Sequence, residues 1–157
     1  MRCFLGSPLN IDENIYNSIN YDGKKTDREL LHITYYFLGE IDKLYSNYVC
    51  SKINSLDIKK SEITVNGIHG FPNDRRARIL YFSIDSEDVN NIYKKLVDEI
   101  NLKKYNFIPH VTIYRFKKFH EVIKSDIKFD ITIDRVCLYN SIFKEKRIYN
   151  ELCCKYM

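Results

Sequence analysis

The sequence predicts an α+β fold of two similar lobes that share a central cleft. Strand and helix patterns follow one another in the order strand, helix, strand, helix, strand, and this order occurs twice in the 157 residues. The middle strand of each set carries a His-x-Thr triplet, and the two histidines, His32 and His110, are separated by about half the chain. We therefore expect one domain with two pseudo-twofold-related lobes, at about residues 1–77 and 78–157, whose termini can cross between lobes.

Local patterns justify each element of the first half. Asn10 is a typical helix N-cap residue, and Glu13 follows three positions later, which is the capping-box arrangement. Apolar residues recur at the helical period from Ile41 to Leu56 and predict the second helix. Alternating stretches rich in β-branched and aromatic residues predict strands at residues 2–7, 31–38 and 62–68.

The second half repeats this order. Asp85 or Ser86 can cap a helix whose apolar positions extend from Val89 to Ile100 at the helical period. We expect a short helix over residues 116–125, and a shift in the apolar alternation near Asp134 predicts a β-bulge there. The predicted strands of this half are at residues 79–84, 109–114, 129–138 and 147–156.

The composition excludes a membrane-spanning protein and places the chain among soluble globular domains. Hydrophobic residues make up 45 % and charged residues 29 % of the chain, and the net charge is +4. No apolar run approaches the roughly 20 residues that span a bilayer, and the N-terminal segment does not resemble a signal peptide. We therefore expect a cytoplasmic protein that does not bind a membrane, and the positive charge mildly favours an anionic partner.

The five cysteines fit neither a disulfide framework nor a zinc site. Their number is odd, and no Cys-x-x-Cys spacing occurs. Cys153 and Cys154 are adjacent and would lie on opposite faces of a strand. We expect all five to be reduced and mostly buried, because cytosolic proteins keep their thiols reduced.

The His-x-Thr triplets predict acid–base chemistry on a phosphate. Residues two apart in a strand share a face, so His32 lies beside Thr34 and His110 beside Thr112. One neutral imidazole can accept a proton from a nucleophile while the other, charged, protonates a leaving oxygen. The threonine hydroxyls can donate to phosphoryl oxygens. A strained cyclic phosphodiester suits this arrangement especially, because its ring strain lowers the barrier and no metal is needed to activate water.

Both triplets resemble the signature motifs of a known family. Residues 32–40 (HITYYFLGE) and 109–115 (PHVTIYR) are similar to the paired motifs of the two-histidine phosphoesterases, and in particular of the RNA 2′,3′-cyclic phosphodiesterases, also called LigT-like 2′-5′ RNA ligases. The opening strand, the loop around Gly70 to Asn73 and the hairpin at residues 140–149 are similar as well. The chain differs from the family pattern at Tyr36, where lysine is frequent, and in lacking tryptophan.

The resemblance implies a bilobal LigT-like fold in which two antiparallel sheets line a central cleft, with the helices outside. It implies hydrolysis of an RNA 2′,3′-cyclic phosphate end to a 2′-phosphate. His32 would be the proton donor to the 3′ oxygen, His110 the proton acceptor from water, and Thr34 and Thr112 would hold the phosphate. Arg115 would also bind phosphate, but in a regular strand it lies on the face opposite His110, so it needs a bulge or a strand end to reach the cleft.

Two other functions fit the same residues. A 2′-5′ RNA ligase would use the reverse chemistry, although water at about 55 M favours hydrolysis over a dilute RNA hydroxyl. A non-catalytic module that binds RNA ends would need phosphate donors but no pair of imidazoles. We expect a monomer without cofactor or metal whose partner is an RNA or nucleotide with a cyclic phosphate end. The basic segment at residues 75–78 is either an RNA contact or a solvated turn, and His69 and His120 are expected at the surface.

Overall fold

A nine-stranded antiparallel sheet forms the centre of the structure. The computed structural model describes all 157 residues. Eight strands follow one another in the order β7-β4-β5-β6-β3-β1-β8-β9, and the short strand β2 pairs with β6. The strands are β1 (Arg2–Pro8), β2 (Lys24–Lys25), β3 (His32–Glu40), β4 (Ser61–Phe71), β5 (Ala77–Asp85), β6 (His110–His120), β7 (Ser125–Ile133), β8 (Arg135–Lys144) and β9 (Lys146–Tyr156).

The sheet consists of two four-stranded halves joined at one place. One half, here called half A, contains β3, β1, β8 and β9, and the other, half B, contains β6, β5, β4 and β7. Between the halves, β3 and β6 share a single paired position, Ile33 with Val111, and both residues are fully buried. Each half of the sheet takes strands from both halves of the sequence, because β4 joins half B and the β8–β9 hairpin returns to half A. The division into sequence repeats near residue 77 remains a prediction.

The three α-helices begin at polar residues that accept hydrogen bonds from their first turn. They are α1 (Glu13–Asn17), α2 (Lys43–Asn54) and α3 (Glu87–Ile100). The cap of α1 is Asp12, whose side chain accepts from Asn14 and Ile15, so the prediction of Asn10 as the cap is wrong. The Ser86 side chain accepts from the Val89 N–H at the start of α3, as the sequence predicts.

The core lies between the sheet and its helices, so the opposite face of the sheet is left for the cleft. The main apolar cluster combines the buried stripes of α2 and α3 with strand residues of both halves, including Tyr35 and Phe82. The Tyr35 hydroxyl lies 2.8 Å from the Ser7 hydroxyl, which in turn donates to the Arg135 carbonyl at 2.7 Å. This buried chain of hydrogen bonds ties β3, β1 and β8 together.

Two local predictions in the second half are wrong. Residues 116–120 continue β6 instead of forming a helix, because β5 provides backbone partners as far as the pair of Ala77 with His120. The phase shift near Asp134 is not a bulge but the change from β7, which pairs with β4, to β8, which pairs with β1. Side-chain alternation in one strand cannot show which half of the sheet will receive it.

Four of the five cysteines form disulfides, which corrects the prediction of reduced thiols. Cys153 and Cys154 lie on opposite faces of β9, as predicted, and each meets a different partner. On the helix side, Cys50 of α2 bonds to Cys153, and on the cleft side Cys137 of β8 bonds to its register partner Cys154. Cys3 is buried and free. The sequence could not reveal these pairs, since both depend on how the C-terminal strand docks.

No helix of the structure is both long enough and apolar enough to cross a membrane.

The disulfides predict a simple thiol count. Denatured without reductant, the chain should titrate with one free thiol, that of Cys3, and after reduction with five. The measurement is a thiol assay in guanidinium chloride on protein alkylated at lysis to prevent later oxidation. A Cys3→Ser variant is the control and should give none before reduction. Five thiols in the unreduced wild-type protein would show that the bonds do not form where the protein is made.

Candidate active site

The pairing of β3 with β6 brings the two His-x-Thr triplets side by side. Ile33 and Val111 are directly paired and point into the core. In an antiparallel register, the residues that flank such a pair lie across from one another on the opposite face. His32 therefore faces Thr112, and Thr34 faces His110, so all four predicted residues meet on the cleft face where the two halves join. All four side chains are partly exposed.

Both imidazoles are held in the same orientation by the backbone. The Nδ1 atom of His32 lies 2.7 Å from the carbonyl oxygen of Leu30, and that of His110 lies 2.7 Å from the carbonyl oxygen of Ile108. An acceptor at that distance keeps the proton on Nδ1, so Nε2 is the atom that takes up or releases a proton. In each case the acceptor is two residues before the histidine. Pro109 favours the extended conformation of Ile108 that allows this contact.

Aromatic rings from other strands of the same half of the sheet pack against each histidine. The ring centroids are 5.0–5.5 Å apart, and three of the four contacts are edge-to-face. The pairs are Phe4 and Tyr149 with His32, and Phe71 and Tyr81 with His110. These rings restrict the imidazoles and exclude part of the water from them.

Burial is the main cause of the lowered pKa of both histidines. The pKa of His32 is lowered to about 4, mainly by desolvation and to a lesser degree by the positive charges of Arg115 and His110, against the opposing effect of the hydrogen bond to Leu30. The pKa of His110 is lowered by the same kind of burial and by Arg115, again opposed by a backbone hydrogen bond. Both rings are therefore neutral at pH 7 in the absence of a ligand.

Arg115 reaches the cleft because β6 contains a bulge. Thr112 pairs with Tyr81, but the next pair is Tyr114 with Leu80, so Ile113 is an extra residue. Ile113 and Tyr114 are consecutive and both buried, and Arg115 then returns to the face of Thr112. Its charge acts on His32, His110 and Tyr149. β6 therefore contains the bulge that Arg115 needs in order to reach the cleft.

The same irregularity occurs in β3. Thr34 pairs with Gly6 and Tyr36 with Leu5, so Tyr35 is the extra residue. Tyr36 consequently points to the helix side, where its hydroxyl donates to the Lys103 carbonyl at 2.9 Å. The position of Tyr36, at which similar sequences frequently have lysine, therefore lies outside the cleft. The next residue, Phe37, is on the cleft face and is 72 % exposed.

Three donors of the site have no partner within the protein. The hydroxyls of Thr34 and Thr112 and the guanidinium of Arg115 make no hydrogen bond or ion pair to other side chains or to the backbone. Polar groups without internal partners on a half-buried surface are available to a ligand, and here each is a donor that suits an anion. The arrangement thus provides two proton-exchanging nitrogens, two neutral donors and one fixed positive charge.

The other candidates lie outside this group. His69 is on β4, with Nδ1 3.4 Å from Asp74, and His120 packs on Phe116 at the far end of β6. In the basic segment, Arg76 and Arg78 lie over the exposed ring of Phe119.

One group of potential metal ligands exists, and its chemistry does not suit a metal in this form. Cys137, Glu151 and Cys154 place ligand atoms within 4.8 Å of one another. Because the two sulfur atoms are bonded to each other, the carboxylate is the one remaining anionic ligand of the group.

Sequence reasoning missed the aromatic rings and carbonyl groups that support the histidines. The carbonyls have a detectable signal, since each belongs to the residue two before the histidine. Tyr149 and Phe4 had no such signal in the sequence. Aromatic residues are abundant in this chain, and the sequence does not reveal the sheet order that brings these two to β3.

Comparison with known proteins identifies relatives of this chain. The sequence profile of the LigT-like phosphoesterases matches residues 13–81. An RNA 2′,3′-cyclic phosphodiesterase of Methanocaldococcus jannaschii is 31 % identical over 129 residues, which cover 74 % of this chain and 72 % of that protein. A protein of the same name from Aquifex aeolicus is 32 % identical over 108 residues, covering 62 % of this chain and 57 % of its own length.

Solved structures share the whole fold at low sequence identity. The crystal structure of E. coli LigT complexed with 3′-AMP superposes with a TM-score of 0.81 over 99 % of this chain and 97 % of that chain, at 16 % identity. A crystal structure described as a phosphoesterase gives a TM-score of 0.82 over the same shares of both chains, also at 16 % identity. Fold and sequence lead to the same conclusion: the chain belongs to the LigT-like phosphoesterase family.

Proposed function

We propose that this protein is a metal-independent RNA 2′,3′-cyclic phosphodiesterase that releases a 2′-phosphate. The observation that carries the proposal is the pair of histidines whose Nδ1 atoms are fixed by the backbone, leaving two Nε2 atoms on one cleft face beside unpartnered hydroxyls. The activity named for the two similar curated proteins is of this kind. The roles of the individual residues follow from the resemblance and from this geometry.

The reaction balances with these residues alone. Nε2 of neutral His110 accepts a proton from water, and the water oxygen forms a bond to phosphorus. The bond from phosphorus to O3′ breaks, and Nε2 of protonated His32 donates its proton to O3′. The products are a 2′-phosphate and a 3′-hydroxyl, and the two imidazoles regain their starting protonation from solvent. Base and acid stand on opposite sides of the phosphorus, as in-line displacement requires.

The remaining donors act on the phosphate. Thr34 and Thr112 lie across from the two histidines and donate hydrogen bonds to its non-bridging oxygens, where charge shifts during attack. Arg115 provides the fixed positive charge that a phosphodiester anion needs. Because these groups have no partners to release, little reorganisation is needed when the substrate binds.

The substrate itself supplies the condition for acid catalysis. In the free protein, burial and Arg115 keep His32 neutral, since its pKa is about 4. A bound phosphodiester brings a negative charge next to the imidazole and offsets Arg115, and a nearby negative charge raises a histidine pKa. Protonation of His32 is thus coupled to substrate binding.

The proposal includes a monomer that acts in the cytoplasm. Cytosolic proteins usually keep their cysteines reduced, with intracellular proteins of hyperthermophiles as a known exception. On protein alkylated at lysis, five thiols would support the cytoplasm, whereas the one thiol expected from the disulfides fits the cytoplasm only for a hyperthermophilic source. Light scattering during gel filtration tests the monomer.

The central test is product analysis by phosphorus NMR. Purified protein with a nucleoside 2′,3′-cyclic phosphate in excess EDTA should yield the 2′-phosphate alone. Formation of the 3′-phosphate would mean that the two histidines have exchanged roles. If a mixture of RNA cyclic phosphate ends and 5′-hydroxyl ends forms 2′-5′ linkages faster than the cyclic ends are hydrolysed, the protein is a ligase. If a short RNA with a cyclic end is not turned over at all, the protein is a module that only binds RNA ends.

Replacing either central histidine should remove most of the activity. We expect His32→Ala and His110→Ala each to lower kcat/KM by about 10²–10⁴, because each removes one of the two proton transfers. His120→Ala is the matched control: that histidine lies on the same strand as His110 but far from the cleft centre, and it should keep near-normal activity. Near-full activity of either central variant would disprove the assigned roles.

The lowered pKa values predict an acidic optimum. kcat/KM reports the free enzyme and needs protonated His32, whose pKa is lowered to about 4, together with neutral His110, whose pKa is lowered below about 6.5. That state is most populated between the pKa values of the two histidines, so kcat/KM should peak at acidic pH, below about 6.5, and fall towards pH 8.

A variant of Arg115 tests whether the charge of this residue contributes to the acidic optimum. Arg115→Gln removes a charge that lowers the pKa of both histidines, so the profile should move to higher pH, apart from any loss in rate. Arg78→Gln is the control, because that guanidinium donates to the Lys117 carbonyl and should leave the profile in place. An unshifted Arg115→Gln profile would exclude an electrostatic action on the histidines.

A further inference from the structure

A second positively charged cluster borders the active site at one end of the cleft. The exposed ring of Phe143, near the end of β8, lies between two cations from different parts of the sheet. Lys24 Nζ is 5.8 Å from its centroid and Arg147 Cζ is 5.3 Å from it. Lys24 belongs to β2, which is attached to half B, whereas Phe143 and Arg147 belong to half A. The cluster therefore spans the cleft.

Register places all members of the cluster on the cleft face. Lys24 is the direct partner of Arg115 on β6, and paired residues in an antiparallel ladder point to the same side. In the β8–β9 hairpin, Phe143 pairs with Arg147, and two positions along Ser141 pairs with Tyr149, the ring that packs on His32. Side chains two apart share a face, so the cluster continues the surface that contains the active site.

The position of Lys24 is fixed by its neighbour. Lys25 points to the opposite side, where its Nζ donates to the carbonyls of Tyr16 and Ile19 at 2.8 and 2.7 Å and lies 4.0 Å from the centre of the Tyr16 ring. Burial lowers the pKa of Lys25. A lysine held by two carbonyls and an aromatic ring anchors the two-residue strand, and this anchor directs Lys24 across the cleft.

The cluster has more positive charge than a terminal cyclic phosphate needs. Neither Lys24, Arg115 nor Arg147 forms an ion pair with any carboxylate of the chain. A 2′,3′-cyclic phosphodiester carries one negative charge, and Arg115, whose charge reaches both histidines, is placed to meet it. Lys24 and Arg147 are left for a second anionic group, with an aromatic face between them.

We propose that Lys24, Phe143 and Arg147 form a subsite for the nucleotide that precedes the cyclic end, so that the preferred substrate is an oligonucleotide and not a mononucleotide. This inference rests on the proposed function. Lys24 and Arg147 bind the phosphate between the last two nucleotides, and the base of the upstream nucleotide stacks on Phe143. Stacking on an exposed ring beside cations is a common way to bind single-stranded RNA without strict sequence preference.

Three substrates separate the two parts of the subsite. They are adenosine 2′,3′-cyclic phosphate, the same compound with a 5′-phosphate, and the dinucleotide ApA with a 2′,3′-cyclic end. We expect the wild-type kcat/KM to rise with the added phosphate and again with the added nucleoside. Lys24→Gln with Arg147→Gln should abolish the first increase. Phe143→Ala should reduce the second by roughly 10-fold, in the range of one lost base–aromatic stack.

A similar cluster elsewhere provides the matched control. Arg76 and Arg78 lie 4.3 and 5.0 Å from the centroid of Phe119, which is 50 % exposed. Phe119 is four residues beyond Arg115 on β6, roughly 13 Å further along the strand, so a dinucleotide bound at the histidines does not reach it. Phe119→Ala and Arg76→Gln should therefore leave the ranking of the three substrates unchanged.

The outcomes distinguish this inference from the proposed function. If the wild-type protein hydrolyses all three substrates with similar kcat/KM, or if the cluster variants lose the same factor on all three, the subsite does not exist although the hydrolase does. If the control variants lose as much on the dinucleotide as the cluster variants, the effect is general surface charge and the subsite is disproved. Absence of hydrolysis of every substrate by the wild-type protein overturns the proposed function itself.

Discussion

The single pairing of Ile33 with Val111 is the constraint on which the site depends. It is the one register position at which the two halves of the sheet meet, and the His-x-Thr residues flank it on both strands. A register slip of one residue in either strand would move the His-x-Thr side chains of that strand into the core. The neighbouring strand protects this position: a side chain at Gly6 would bring its Cβ within 2.7 Å of the Ile33 carbonyl oxygen, so glycine is required there for β1 to approach.

The supporting groups around each histidine restrict the imidazole and cover part of it. A backbone carbonyl fixes Nδ1, and two aromatic rings limit rotation and hydration of the imidazole. The same burial that orients the rings also lowers their pKa. Preorganisation and low proton affinity of the imidazoles therefore have one cause, and in the proposed reaction an anionic substrate would offset the lowered pKa of His32.

The sequence predicted where the central site residues lie better than it predicted their surroundings. The spacing of the two triplets and the alternation of strand residues were enough to place His32, Thr34, His110 and Thr112 on one face, because these patterns are local. The requirement for a bulge before Arg115 also followed from the alternation of side chains along a strand, and β6 has such a bulge. What could not be predicted depends on sheet order: the contact of Tyr149 with His32, the disulfides of the C-terminal strand, and the exchange of β4 and the β8–β9 hairpin between halves.

The bulges in β3 and β6 make the two sides of the cleft different. They place the residue five positions after each histidine on the cleft face, but that residue is Phe37 in one half and Arg115 in the other. The backbone and the His-Thr pairs alone are nearly symmetric and would accept a cyclic phosphate in either of two orientations. An aromatic side chain at one position and a cation at the other break this symmetry. In this way two similar histidines can acquire different roles although the strands that carry them are nearly equivalent.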